Sequence, residues 1–371
     1  MKYYIIAGEA SGDLHGSNLI KNLKEIDKSA EFRCFGGDLM KRAGAEIALH
    51  YKQMSFIGII EVLKHLKTIR QTLEFCKKDI PEYHPDAVIL IDYPGFNLKI
   101  AEFAKLQNFK TLYYIAPKIW ASRKSRIKRI RKSVDKIFVI LPFEEEYFKS
   151  RGCNAEYVGN PLTDAIAGFM PEKKEEFLKK NNLGNKPVIA LLAGSRKTEI
   201  KNCLPSMLKA VKGNNDYEFV LAGAPSIAPS SYEEYLHNTP VKIVYDKTYD
   251  LLGNAHAAIV VSGTATLETA LFKVPEVVIY KVATASYLIG RPFVHIKFFS
   301  LVNIIMDHLV VKEFLQFGLA RKIRKELNKI LTDPNYRQNM LNKFELLAQK
   351  MGEPGTSARV SKSIFNYLNQ E

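Results

Sequence analysis

Short apolar runs rich in β-branched residues alternate with helical patterns along most of the chain, and this alternation restricts the fold more than any other feature. The runs Tyr3–Ala7, Arg33–Gly36, Ala87–Ile91, Thr111–Ile115, Lys136–Leu141 and Glu156–Val158 close on Gly, Pro or Asp, or meet one within two residues. Near-continuous apolar character fits strands buried on both faces, the condition of a parallel sheet covered by helices. Between these runs, Ile59–Lys78 carries Ile59, Leu63, Leu66, Ile69 and Leu73 at helical spacing.

The pattern pauses at 160–187, where GNPLTDAI precedes a charged stretch with turn residues and no strand. It resumes with Val188–Leu192, Phe219–Ala222, Lys242–Tyr245, Ala258–Val261 and Val277–Tyr280. Two successive series with a polar break predict an α/β protein of two Rossmann-like domains facing across a cleft, with helices only from about 319. The expected boundaries are 1–165, 166–345 and a C-terminal helical segment 346–371. The 371 residues, 47% hydrophobic and 25% charged, suffice for two such cores.

Several classes fall away. Apolar runs such as Ala87–Ile91 and Val188–Ala193 are far short of the roughly 20 residues that span a bilayer. MKYYIIAGEASGD meets Glu9 and Asp13 too early for a signal peptide. Cys34, Cys76, Cys153 and Cys203 form no CxxC pair, so reduced cytoplasmic thiols are expected. No Asp-x-Asp, HExxH or Cys/His cluster occurs, so neither a metal nor a cofactor is expected. The net charge of +15 asks for an anionic partner without saying which.

Ligands of open parallel sheets bind beyond the carboxyl ends of the strands, so the residues after each strand are the informative ones. After the first comes GEASGDLHG, with Gly8, Gly12 and Gly16 spaced by four. Neither a Walker A loop nor GxGxxG is met. A close approach of a ligand at Ser11 and Gly12 and a plain turn capped by Ser11 or Asp13 explain this segment equally well. His15 is a candidate polar group there. After the third apolar run, Asp92 stands before Tyr93-Pro94-Gly95, where a general base or a turn cap is commonly placed.

The segment after Thr111–Ile115 holds Trp120, the single tryptophan, and then Arg123–Lys132, in which seven of ten residues are basic. With Ile127, Ile130 and Val134 at helical spacing, it reads as an amphipathic basic helix suited to anionic lipid head groups. Trp120, Arg123, Lys124, Arg126, Lys128 and Arg129 are its candidate membrane contacts, and nucleic acid is the weaker alternative. In the second half, Gly194-Ser195-Arg196 and Ser262-Gly263-Thr264 each sit between a strand and a helix start. Backbone amides and an Arg fork there suit a diphosphate, and Glu268 suits a ribose diol.

These segments carry a resemblance. AGEASGDLHG (7–16), FGGDLM (35–40), MSFIGIIEVL (54–63), IDYPGFNL (91–98) and YYIAPKIWASR (113–123) run in order with LPFE (141–144), VGNPL (158–162), AGSR (193–196), SGTATLE (262–268) and SLVNIIM (300–306). Over about the first 315 residues the chain resembles the lipid-A-disaccharide synthase family, inverting hexosyltransferases of the two-domain GT-B type. The resemblance implies transfer of a sugar from UDP-2,3-diacylglucosamine to 2,3-diacylglucosamine 1-phosphate. The products are a tetra-acyl β-1,6 disaccharide 1-phosphate and UDP. It also implies a cytoplasmic enzyme held peripherally on the inner membrane of a Gram-negative bacterium, touching anionic lipids, with homodimer formation left open.

By the same resemblance Asp92 is the base for the acceptor hydroxyl, Arg196 a diphosphate contact, Glu268 a ribose or uridine contact and Asn303 a donor-site polar residue. Ser11 and Gly12 line the acceptor side. Four positions depart from the family pattern: Ala193 and Val302 stand where Pro is usual, Ser122 where a second Trp is usual and Asn160 where His is frequent. The rivals are another GT-B enzyme of UDP-GlcNAc (a cell-wall transferase or an epimerase) and a nucleic-acid-binding protein. AGEASGD and IDYPGFNL argue against the first, and the lack of any RRM, KH or helix-turn-helix signature against the second.

Overall fold

A computed structural model describes residues 1–54, 65–283 and 297–370. The chain divides into one compact unit of 1–164 with 351–371 and another of 165–350. Most of MSFIGIIEVL, and the start of the helix expected from Ile59, lie outside the described residues. The described helix there is Leu66–Tyr83, with Leu73 buried and Ile69 packed on the same core.

The first unit contains β1 (Lys2–Ala7), β2 (Glu31–Gly36), β3 (Glu46–His50), β4 (Ala87–Ile91), β5 (Lys110–Tyr114), β6 (Lys136–Val139) and β7 (Ala155–Tyr157). They form one parallel sheet in the order β3-β2-β1-β4-β5-β6-β7. Successive residues of a strand point to opposite faces, and here both faces are covered. Tyr4, Ile6, Val88 and Leu90 enter one core, while Tyr3, Ile5, Ala87, Ile89 and Ile91 enter the other. That two-sided burial is why these strands read as unbroken apolar runs. The C-terminal helix Thr356–Asn369 packs along Ala10–Ile26, placing Val360 and Ile364 in the second core. The Asp164 carboxylate caps it, accepting from the amides of Gly355 (2.7 Å) and Thr356 (3.0 Å).

The second unit contains β8 (Val188–Leu192), β9 (Glu218–Gly223), β10 (Lys242–Tyr245), β11 (Ala255–Val261), β12 (Glu276–Tyr280) and β13 (Glu313–Leu315). Its order, β10-β9-β8-β11-β12-β13, is again all parallel. Helix Leu319–Thr332 packs on Lys197–Val211, where the Arg324 guanidinium donates to the carbonyl of Ala210 at 2.9 Å.

In both sheets the strand order reverses once, between β1 and β4 in the first unit and between β8 and β11 in the second. Crevices at such reversals, beyond the carboxyl ends of the strands, are where doubly wound sheets hold ligands. Two strands escape the apolar-run reading: β3 and β13, both at sheet edges. Glu46–His50 is nowhere fully buried and reads EIALH, so it lacks the two-sided signal.

Candidate functional site

In the first unit, the turns after β1 and β4 meet at the reversal point. Gly8 packs flat against the Tyr93 ring; a Cβ there would lie 2.4 Å from it. Tyr93 is anchored in turn by its hydroxyl, which donates to the Met54 carbonyl at 2.6 Å. Asp92 and Tyr93 both take left-handed backbone conformations, with φ of 44° and 47°. Such conformations cost a non-glycine residue about 1–3 kcal/mol each and persist only where the surroundings impose them.

The surroundings here are visible. The Asp92 carbonyl accepts from Asn97 Nδ2 at 2.8 Å and from the Tyr113 hydroxyl at 2.6 Å. Asn97 is fully buried in the first turn of Pro94–Leu106, and its Nδ2 also donates to the Ile91 carbonyl. The turn therefore projects the Asp92 side chain outward from a rigid base. Displacement of water by the surrounding protein pushes its carboxyl above the usual range, with the Lys118 charge and the Tyr93 amide opposing.

Ser11 is exposed at the start of Ala10–Ile26, and Gly12 is buried against Ala7. His15 is half-buried, with its ring edge on Tyr114. Burial pushes its pKa down to about 4, so the imidazole is neutral at physiological pH. Asp13 does not cap its own helix. It accepts from the amides of Gly37, Leu39 and Met40 (2.8–3.1 Å), tying the first glycine-rich turn to the Asp38–Arg42 helix.

The basic segment is less regular than the sequence pattern predicts. Lys124–Arg126 is a 3₁₀ turn and Ile127–Ser133 a seven-residue helix. Its apolar side is already occupied: Ile130 is buried, and Ile127 and Val134 pack on the same core. Arg129 pairs with Glu102, with Nη2 to Oε2 at 2.9 Å, and Arg126 is partly desolvated beside Arg123. Arg123, Lys124 and Lys128 remain exposed. Trp120 donates its indole N–H to buried Glu144 at 2.8 Å and packs edge-on to Phe143. Burial pushes the Glu144 carboxyl up to about 7.

In the second unit, the turns after β8 and β11 line one cavity. Gly194, Ser195, Arg196, Ser262, Gly263, Thr264 and Glu268 all border it. Thr248 and Tyr280 also border it, although neither lies in a motif that marks a ligand site. Glu268 accepts from the Tyr249 hydroxyl at 3.0 Å, and burial raises its carboxyl. The Ser262 hydroxyl donates to the Phe299 carbonyl at 2.6 Å, which fixes that turn.

Asn303 is not brought to this cavity wall. It is 0% exposed; its Oδ1 accepts from Val310 and Val311, and its Nδ2 donates to Val311 and Glu313. Of the four departures, Ala193 and Val302 are buried and Ser122 is exposed. Asn160 is buried and bridges the Ile140 carbonyl and the Leu162 amide. Among the described residues, no group of three or more His, Cys, Asp or Glu could hold a metal ion. Nor, among them, is any helix long and apolar enough to cross a membrane.

Comparison with known proteins agrees with this architecture. Residues 3–358 match the protein family described as lipid-A-disaccharide synthetase. The lipid-A-disaccharide synthase of Coxiella burnetii is 35% identical over 370 residues, covering 98% of each chain. Among solved structures, Staphylococcus aureus MnaA with UDP superposes with a TM-score of 0.68 at 14% identity, covering 100% of this chain and 97% of that one. The calicheamicin glycosyltransferase CalG4 gives 0.61 at 15% identity, covering 100% and 98%. These two likenesses concern the fold alone, the GT-B class with two doubly wound α/β units.

Proposed function

The chain belongs to the lipid-A-disaccharide synthetase family and is a glycosyltransferase of lipid A biosynthesis; from that premise we propose the reaction and the residues that carry it. UDP-2,3-diacylglucosamine donates its sugar to the 6-hydroxyl of 2,3-diacylglucosamine 1-phosphate. Asp92 takes the hydroxyl proton as the oxygen attacks the anomeric carbon. The bond from that carbon to the diphosphate breaks, and UDP leaves with the electron pair. Attack from the face opposite the leaving group gives the β-1,6 product by inversion.

The negative charge that grows on the diphosphate falls to Arg196 and to the turns Gly194–Arg196 and Ser262–Thr264. Preorganised donors of this kind stabilise a departing anion without reorganising during the reaction. Glu268, held by Tyr249, accepts from the ribose or uridine. Ser11, Gly12 and the neutral His15 contact the acceptor. Asn303 acts from beneath the donor site, fixing the 300–313 segment through Glu313.

The observation that supports this reading most is the single cavity that gathers both small-residue turns, Arg196 and Glu268. The test is a coupled assay of UDP release. Rapid release should require both UDP-2,3-diacylglucosamine and the lipid acceptor. Release that ignores the acceptor, or epimerisation of UDP-GlcNAc, would defeat the proposal.

The protein works on the inner face of the cytoplasmic membrane, held peripherally by Arg123, Lys124 and Lys128. Because Ile127, Ile130 and Val134 pack inward, the attraction is electrostatic and not insertive. Screening shortens from about 10 Å at 0.1 M to about 3 Å at 1 M salt. Co-sedimentation with phosphatidylglycerol vesicles should therefore be strong at low salt and lost near 1 M. It should also weaken in Arg123→Glu/Lys128→Glu. Binding that persists at 1 M, or RNA binding stronger than vesicle binding at matched salt, contradicts this.

A further inference from the structure

We propose that Glu199 is a positioning residue for the donor diphosphate, its carboxylate folding the Gly194–Arg196 turn into the shape that receives the phosphates. The inference rests on the donor reading of this cavity and goes beyond it to a residue that no motif singled out. Glu199 lies in the first turn of Lys197–Val211 and borders the cavity. Its Oε2 accepts from the Ser195 amide at 3.0 Å and the Arg196 amide at 3.3 Å. Its Oε1 stands 3.5 Å from the Arg196 guanidinium. That side chain is 72% exposed, so the pair is loose and leaves the guanidinium fork open to solvent.

Gly194 supports the same arrangement. Its φ of +100° favours glycine, and a Cβ there would sit 2.5 Å from Glu199 Oε2 and 2.7 Å from Glu199 Cβ. The absence of a side chain at 194 is thus what lets Glu199 close on the turn. On the other side, the Ser226 hydroxyl donates to the Ser195 carbonyl at 2.9 Å. Held from both sides, the turn leaves the Arg196 fork and the Ser195 hydroxyl, both at the cavity wall, for an anion.

The rival account treats the same carboxylate as a competing anion that occupies the phosphate position and repels it. The two accounts predict opposite signs. UDP affinity is measured by calorimetry for wild type, Glu199→Ala, Glu199→Gln and Glu199→Asp, together with donor KM and kcat. Positioning predicts that Glu199→Ala weakens UDP by about tenfold or more, the loss of one or two charge-assisted hydrogen bonds' worth of organisation. The amide oxygen of Glu199→Gln still accepts from the turn, so its affinity stays within about threefold of wild type. Glu199→Asp keeps the charge but not the reach, so it weakens UDP as Ala does. The loss appears in donor KM, with kcat at saturation largely kept. Unchanged or tighter UDP binding in Glu199→Ala overturns the inference. Should that variant not fold, wild-type affinity in Glu199→Asp overturns it equally. A wild-type protein that does not bind UDP overturns the donor reading itself.

Discussion

Replacing Asp92 by alanine should lower kcat by about 10²–10⁴-fold, the usual contribution of a positioned general base, while UDP affinity stays near that of wild type. The expectation starts from the backbone. Two consecutive left-handed residues are an expensive way to end a strand, and the protein maintains them with the Asn97 amide and the Tyr113 hydroxyl on one carbonyl. Conformational cost of this kind persists where the orientation of a side chain matters. Asp92→Asn keeps the shape and removes only the basicity, so it should be nearly as inactive.

The pH dependence follows with a definite sign. A base must be deprotonated, and the surroundings raise this carboxyl despite Lys118. Activity should therefore fall on acidification, with its midpoint above the roughly 3.9 of an unperturbed aspartate. If kcat of Asp92→Ala remains within about tenfold of wild type, below the usual effect of a general base, another group takes the proton.

The second large effect concerns the leaving group. Arg196→Ala should weaken UDP binding by roughly 10–100-fold, since hydrogen bonds to charged groups contribute about 1.5–3 kcal/mol each. The side chain is mostly exposed and pairs with Glu199 at 3.5 Å, a loose contact on a solvent-facing turn. An exposed pair of this sort contributes little to folding, so the thermal midpoint should barely move. Arg196→Lys should recover only part of the affinity, because an ammonium lacks the planar fork that matches phosphate oxygens. Unchanged affinity in Arg196→Ala, read by calorimetry, removes this residue from the donor site.

How much of this was legible in the sequence depends on where each interaction partner lies along the chain. Central strands such as Ala87–Ile91 and Val188–Leu192 have the bounds the apolar runs predict, because burial on two faces leaves a local signature. Edge strands β3 and β13 left none. The turns after β1, β4, β8 and β11 were visible as motifs because strand, turn and helix start are contiguous. Their supports were not: Tyr113 reaches Asp92 from 21 residues away, and Tyr249 reaches Glu268 from 19. Asp13 lay inside a recognised motif, yet its partners are 24–27 residues downstream. The basic segment shows the converse limit. Its helical periodicity was real, but periodicity alone does not say whether the apolar side faces lipid or the protein's own core.

Sugar transfer between two acylated glucosamines leaves a product that distinguishes it from every rival reaction. Purified protein is incubated with UDP-2,3-diacylglucosamine and 2,3-diacylglucosamine 1-phosphate, and the lipid extract is analysed by mass spectrometry and by NMR of the anomeric proton. The expected product is a tetra-acyl disaccharide 1-phosphate with a β-1,6 linkage, formed together with UDP and absent with Asp92→Ala. An α linkage, or recovery of both lipids unchanged while UDP-GlcNAc is epimerised, would contradict it.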